Sequence, residues 1–306
     1  MRAGPAEREE RLGLLFALLC ALNGAFVPAV AKLTTGRATP LFVAAASSAV
    51  AAVAAGVLLA WRGEFAWLTR PRIGWRLLLI AALATAAANL LFFAGASRSS
   101  AIVATLCLQV EPAYALLLAW LVLGHRPTPR RLLATAALLA GIALAVGAGE
   151  FDPGGGVWLL LATPLCWQLS HLVVLRGLGG VPALVVTSAR YLHGGALLVL
   201  AWLALEGVAA LPPLADLRAL APWLALQGAV LGYAGTLVWY LAIARLDLAR
   251  ATAIVVPTIP LLAIGASFAL LGEVPTARQW LGLGLTAIGI AVFVSDDSRR
   301  RVIAAS

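Results

Sequence analysis

The sequence predicts an all-α integral membrane protein of ten transmembrane helices, arranged as two inverted five-helix repeats. Three observations carry that reading. Apolar residues make up 62% of the 306 and charged residues 11%, against roughly 45–50% and about 25% in soluble domains. Mean hydropathy is +0.98, so a fold in water would lack the polar groups to cover its surface. Apolar runs, each long enough for a bilayer core of roughly 30 Å, recur along the chain, and one half of it can be laid over the other.

The runs place helices at 12–33, 39–61, 74–96, 100–123, 131–149, 156–176, 182–205, 221–243, 250–271 and 278–295. Between them stand short connections with turn and breaker residues: Arg70-Pro71-Arg72, Pro127-Thr128-Pro129, Pro212-Pro213 and Glu273-Val274-Pro275. No connection is long enough for a separate soluble domain. Ala29-Val30-Ala31 imitates a signal-peptidase site, but the mixed-sign flank Glu7-Arg8-Glu9-Glu10-Arg11 and the length of the run read as a membrane helix. Trp61, Trp67, Trp75, Trp158, Trp202 and Trp223 cluster near helix ends, as interfacial anchors do.

Ala101 to Val146 lies over Ala249 to Val294 without a gap. Pro112 then meets Pro260, Leu123-Gly124 meets Leu271-Gly272, Pro127-Thr128 meets Pro275-Thr276, and Gly141-Ile142-Ala143 meets Gly289-Ile290-Ala291. The expected organisation is a tail over 1–11, a first repeat over 12–149, a second over 156–295 and a tail over 296–306. Five helices per half is an odd number, which turns the second repeat upside down relative to the first. Inverted repeats have two nearly equivalent conformations, with the substrate site expected near the bilayer midplane.

The formal charge of +9 does not indicate nucleic-acid binding, because Lys and Arg sit between apolar runs and not on one basic face. With the N-terminus in the cytoplasm, Arg on the inner side outnumbers Lys and Arg on the outer side about three to one. The expectation is therefore a multi-pass protein of the inner (plasma) membrane with both termini cytoplasmic. Cys20, Cys107 and Cys166 lie apart inside apolar runs, with no metal-ligand or disulfide spacing. Gly282, Gly284 and Gly289 belong to a helix and not to a dinucleotide loop. No Walker motif or hydrolase signature is present. No cofactor, metal or enzymatic activity is expected.

Two stretches then carry a family resemblance: Glu111-Pro112 through Leu123-Gly124-His125-Arg126-Pro127-Thr128, and Trp239-Tyr240-Leu241-Ala242-Ile243-Ala244 through Leu271-Gly272-Glu273-Val274-Pro275-Thr276. Asn23-Gly24-Ala25-Phe26-Val27 leading to Lys32 adds a third. The chain resembles the ten-helix EamA-like branch of the drug/metabolite transporter superfamily, over nearly all of 12–295. That resemblance implies export of amino acids, nucleotide precursors, drugs or other metabolites. Ser47-Ser48 stands where the family's second helix often carries Arg, and Ile259 replaces an acidic residue before Pro260.

Candidate substrate-binding or coupling residues are the polar ones inside the runs. Glu111 lies mid-helix beside Pro112, out of reach of water, where it either exchanges a proton during transport or serves as a hydrogen-bonded structural carboxyl. Arg190 shares a helical face with Thr187, His193 and Gly194, and either clamps a substrate anion or pairs with Glu111 or a carbonyl. His193 and His171 are candidate proton carriers or packing residues. Asn23, Asn89, Gln168, Tyr191 and Tyr233 are either interhelical hydrogen bonders or cavity lining. Trp167 stands one turn before His171, and Pro112 and Pro260 are the expected structural kinks. The expected partners are a small-molecule substrate and the lipid bilayer, with a homodimer left open. The expected function is secondary transport by alternating access, as an exporter of a small metabolite such as an amino acid, either proton-coupled through Glu111 or facilitated. The rivals are a channel-like facilitator or lipid flippase on the same fold and, from another class, a membrane enzyme.

Overall fold

A computed structural model describes residues 5–147, 151, 155–246 and 248–305 of the chain. In lipid every backbone N–H and C=O must be satisfied internally, and the described residues meet that demand with helices alone. They are α1 (Pro5–Thr35), α2 (Pro40–Arg62), α3 (Pro71–Arg98), α4 in two halves (Ala101–Leu108 and Glu111–Leu123), α5 (Pro129–Val146), α6 (Val157–Gly177), α7 (Ala183–Leu205), α8 (Leu214–Leu246), α9 (Leu248–Leu271) and α10 (Ala277–Ala305). Among the described residues nine helices are long and apolar enough to cross a bilayer, and Ala277–Phe293 supplies a shorter apolar tenth.

Local chemistry sets the ends. Thr39 accepts from the Phe42 amide at 3.2 Å and Thr128 from the Arg131 amide at 3.1 Å. Each is followed by a proline at the first helical position, where a missing N–H costs nothing. Gly124 (φ 72) and Gly272 (φ 68) end α4 and α9 in the left-handed region that glycine tolerates, at equivalent places in the two repeats.

Three boundaries depart from the sequence expectation. Helix α1 begins at Pro5, inside the expected tail, because its polar first turns are held by ion pairs from Glu7 to Arg11 and from Glu10 to Arg250, both at 2.5 Å. Helix α10 likewise continues to Ala305. Helix α8 starts at Leu214, seven residues ahead of the apolar run expected from 221, because Pro213 launches a helix whose first turns are amphipathic. Helix α5 ends at Val146, and the expected continuation to 148 and 149 lies outside the described residues.

The packing follows a pseudo-twofold axis. Helix α2 packs on α7 and α5 on α10, each on its counterpart in the other repeat. Helix α1 packs against α8 and α9 just as α6 packs against α3 and α4. The α5–α10 contact shows the register residue by residue. A methyl group at Gly141 would stand 2.7 Å from the Gly282 carbonyl, and one at Gly289 would stand 2.7 Å from the Ala134 carbonyl. In the register that lays Gly141 on Gly289, Ala134 lies on Gly282, so these are one contact made twice. The two repeats are therefore inverted and meet about a shared axis.

The pseudo-equivalent prolines behave differently. Helix α4 breaks at Gln109–Val110, directly before Glu111 and Pro112, whereas Pro260 lies inside a continuous α9 together with Pro257.

Gly141→Ala should lower the apparent melting temperature in detergent, since overpacking costs ~1–3 kcal/mol. Gly284→Ala, where an added methyl meets nothing within 4 Å, should raise it slightly through helix propensity. Equal effects at the two sites would contradict the close α5–α10 contact.

Candidate functional site

A cavity of about 170 Å³ lies between the two repeats. Its wall comes from α1, α2 and α3 of the first and α6, α7 and α8 of the second. Four of the sequence candidates line it: Asn89, Trp167, Arg190 and Tyr191. Ser47, Ser48, Gln227 and Thr236 complete its polar surface, while Phe92 and Phe93 contribute aromatic wall. No carboxylate side chain is among the lining residues.

Arg190 is the only charged side chain in that wall among the described residues. Its Nε donates to Thr85 Oγ1 at 3.2 Å and its Nη2 to the Ala84 carbonyl at 3.0 Å. The guanidinium also lies 5.5 Å from the Tyr191 ring centroid. Nη1 makes no hydrogen bond and Arg190 no ion pair among the described residues. A guanidinium in the membrane interior is costly, and here the Ala84 carbonyl and the Thr85 hydroxyl partly offset that cost.

The acceptor for Arg190 comes from an irregularity in α3. Ala82–Ala87 is a π-helical turn, and the second repeat has its own at Leu226–Ala234, overlapping it in the repeat register. Such turns loosen the backbone ladder and leave carbonyls available. Each is caught by a polar side chain from the other repeat. Arg190 takes the Ala84 carbonyl, and Asn23 donates to the Val230 carbonyl at 2.9 Å.

The remaining candidates lie around the cavity and not on its wall. Glu111 accepts from Gln168 Nε2 at 2.8 Å, which joins the break in α4 to α6. Arg190 lies within electrostatic range of both Glu111 and His171. His193 stands on the same face of α7 as Arg190, with its Nδ1 enclosed and unpartnered. Tyr233 shares a 2.8 Å hydrogen bond with Ser188 and packs edge-on against Tyr191, centroids 5.9 Å apart.

Sequence reasoning passed over Gln227 and Thr236. The available signal was Gly228 and Gly232, which place α8 against the cavity: a side chain at Gly228 would collide with the Ser47 carbonyl, and Gly232 faces the Tyr191 hydroxyl. In the sequence Ser47 and Ser48 stand out only as departures from the family's second-helix pattern. Asn89 donates to Ser48 Oγ at 3.0 Å, which fixes α2 to α3 at the cavity edge. Two buried polar atoms of lining residues have no partner: Trp167 Nε1 and Gln227 Oε1. Among the described residues no group of His, Cys, Asp and Glu could hold a metal ion.

A cavity shared by two inverted repeats is a transporter's architecture, and the model of the EamA-like transporter family matches residues 11–147 and again 154–295. The chain belongs to the EamA-like transporter family. Members of this family are membrane transporters and not enzymes, so this EamA-like chain is a multi-pass membrane transporter of the drug/metabolite type. Sixteen solved chains resemble it. One, described only as a crystal structure of a protein, superposes with a TM-score of 0.66 at 19% identity, covering 96% of this chain and 98% of its own. At that identity the likeness is one of fold. No curated protein matches the sequence.

A double-mutant cycle on Asn89→Ala and Ser48→Ala should give a coupling of roughly 0.6 kcal/mol, the usual worth of a polar contact between membrane helices. A coupling near zero would remove this tie from the cavity frame.

Proposed function

We propose that this transporter is a secondary exporter of a small metabolite that carries an anionic group and an N–H donor, an amino acid among them. The carrying observation is Arg190, a cation on the wall of a cavity between the repeats, with a free Nη1 and no ion-pair partner among the described residues. Guanidinium groups bind carboxylates through paired, charge-assisted hydrogen bonds. Ser48, Asn89, Gln227 and Thr236 line the same cavity and supply hydrogen-bonding side chains for the remainder of such a ligand. The lining offers no carboxylate to a cationic drug or polyamine. Its aromatic wall suits an apolar body.

Alternating access accounts for the inverted repeats. The Arg-rich loops favour cytoplasmic termini in an inner (plasma) membrane. Glu111 is the proposed coupling group: it lies within the membrane span, bonded to Gln168 and within electrostatic range of Arg190. A proton taken up there alters the field at Arg190, the proposed anion-binding cation.

Arg190→Ala should weaken binding of small carboxylates about 10–100-fold, as expected for losing a charged hydrogen bond of about 1.5–3 kcal/mol. Neutral amide analogues should lose far less. Binding to purified protein, followed by thermal shift, checks this. Equal losses for both ligand sets would contradict the anion site. In vesicles, Glu111→Gln should abolish pH-driven transport while leaving protein level and carboxylate binding near those of the parent. An unchanged pH response would contradict coupling through Glu111.

A further inference from the structure

The largest apolar cluster runs across one end of the molecule, from Ala31, Phe42 and Ala96 to Val146, Val157 and Trp202. At the opposite end the apolar contacts divide in two. One cluster joins α1, α8 and α9 around Ala17, Leu246 and Ala251, and the other joins α3, α6 and α7 around Leu77, Leu178 and Val186. Apolar packing is therefore continuous at one end, termed the sealed end, and broken into separate clusters at the other, termed the parted end, where a smaller cluster around Ala55, Tyr191 and Tyr233 lies between them.

At the sealed end, one side chain from the second repeat closes on the first. Glu273, in the connection between α9 and α10, accepts from the Ala101 amide at 3.0 Å through Oε1 and from the Ile102 amide at 3.1 Å through Oε2. Both are first-turn N–H groups of α4, which have no partner within their own helix. A carboxylate there is also favoured by the helix dipole. Ser100 satisfies the next amide, Val103, at 3.1 Å.

The repeat register gives this contact a counterpart. It lays His125 on Glu273 and Ala249 on Ala101, within the matching stretches Leu123-Gly124-His125 and Leu271-Gly272-Glu273. His125 lies at the parted end. Its side chain is exposed and makes no hydrogen bond among the described residues. Helix α9 starts nearby in the repeat frame, at Leu248.

We propose that Glu273 is the latch of the sealed end and that His125 is its counterpart in the opposite state, closing on the first N–H groups of α9. The two latches differ in strength. A carboxylate accepts both amides and places a negative charge at the helix N-terminus, whereas neutral imidazole offers one acceptor nitrogen. The inequality holds the resting protein sealed at the Glu273 end. With the orientation proposed above, on which only the direction of this inference rests, that form is open to the cytoplasm and loads an exporter.

The test is cysteine labelling of the full chain in sealed vesicles. Cys20, Cys107 and Cys166 are replaced, Thr236→Cys is placed in the cavity wall, and a membrane-impermeant maleimide is added on the Glu273 side. Glu273→Ala should speed labelling about fivefold, the factor equivalent to about 1 kcal/mol of helix capping. His125→Glu should speed it by a similar factor although it removes no contact present in the structure, and the exchange of both residues should speed it most. Acceleration by Glu273→Ala without acceleration by His125→Glu would mean simple fraying and would overturn the paired latch. No acceleration in any folded variant would overturn it entirely. Should Glu273→Ala not fold, His125→Glu decides alone. Labelling needs no ligand, so its failure with intact carboxylate selectivity overturns the latch and leaves the proposed substrate standing.

Discussion

Lipid tails are as apolar as leucine, so membrane helices gain from association chiefly where their backbones come close. Everything else in this fold depends on that constraint being met at the pseudo-twofold axis. Gly141 and Gly289 admit α10 and α5 to each other through the same contact made twice. On α7, a methyl at Gly195 would stand 2.8 Å from the Ser48 carbonyl of α2, and Gly228 on α8 leaves room for the carbonyl of Ser47. Small residues thus hold α5 against α10, and α2 against α7 and α8, across the repeats. The cavity is the space that remains between α1–α3 and α6–α8.

Polar groups in that space divide by whether they are satisfied. Asn89 with Ser48, Tyr233 with Ser188 and Asn23 with the Val230 carbonyl are paired, and they tie helices together. The free edge of Arg190, Trp167 Nε1 and Gln227 Oε1 are unpaired and belong to lining residues. Buried polar groups carry a penalty until they find partners, and the free edge of Arg190 is the group on which the proposed anion site rests. The two π-helical turns belong to the same scheme. Each interrupts a helix at the level of the cavity and is held by a side chain of the opposite repeat, so Arg190 is both part of the wall and a tie on α3.

The architecture was legible in the sequence because its causes are written in periodic and repeated features. Apolar runs report the bilayer thickness, and the match of Gly141-Ile142-Ala143 to Gly289-Ile290-Ala291 reports the inversion. Arg190, Asn89, Tyr191 and Trp167 stood out because polar or large aromatic residues inside such runs need a reason. The π-helical turns were not legible: Ala82-Leu83-Ala84-Thr85-Ala86-Ala87 has the composition of an ordinary helix. Nor was the pairing of Glu111 with Gln168, which depends on how α6 sits against α4. Gln227 was missed because a glutamine beside Gly228 looks like helix glue until the neighbouring helix is in place.

The central claim is that the space between the repeats holds an anion through Arg190. It is tested most directly by an experimental structure with a small bromine-labelled carboxylic acid, the bromine located by its anomalous signal. Bromine is expected among Phe92, Phe93 and Trp167, with the carboxylate turned to Arg190. Ligand seated elsewhere, with Arg190 still bound only to Thr85 and the Ala84 carbonyl, would contradict it.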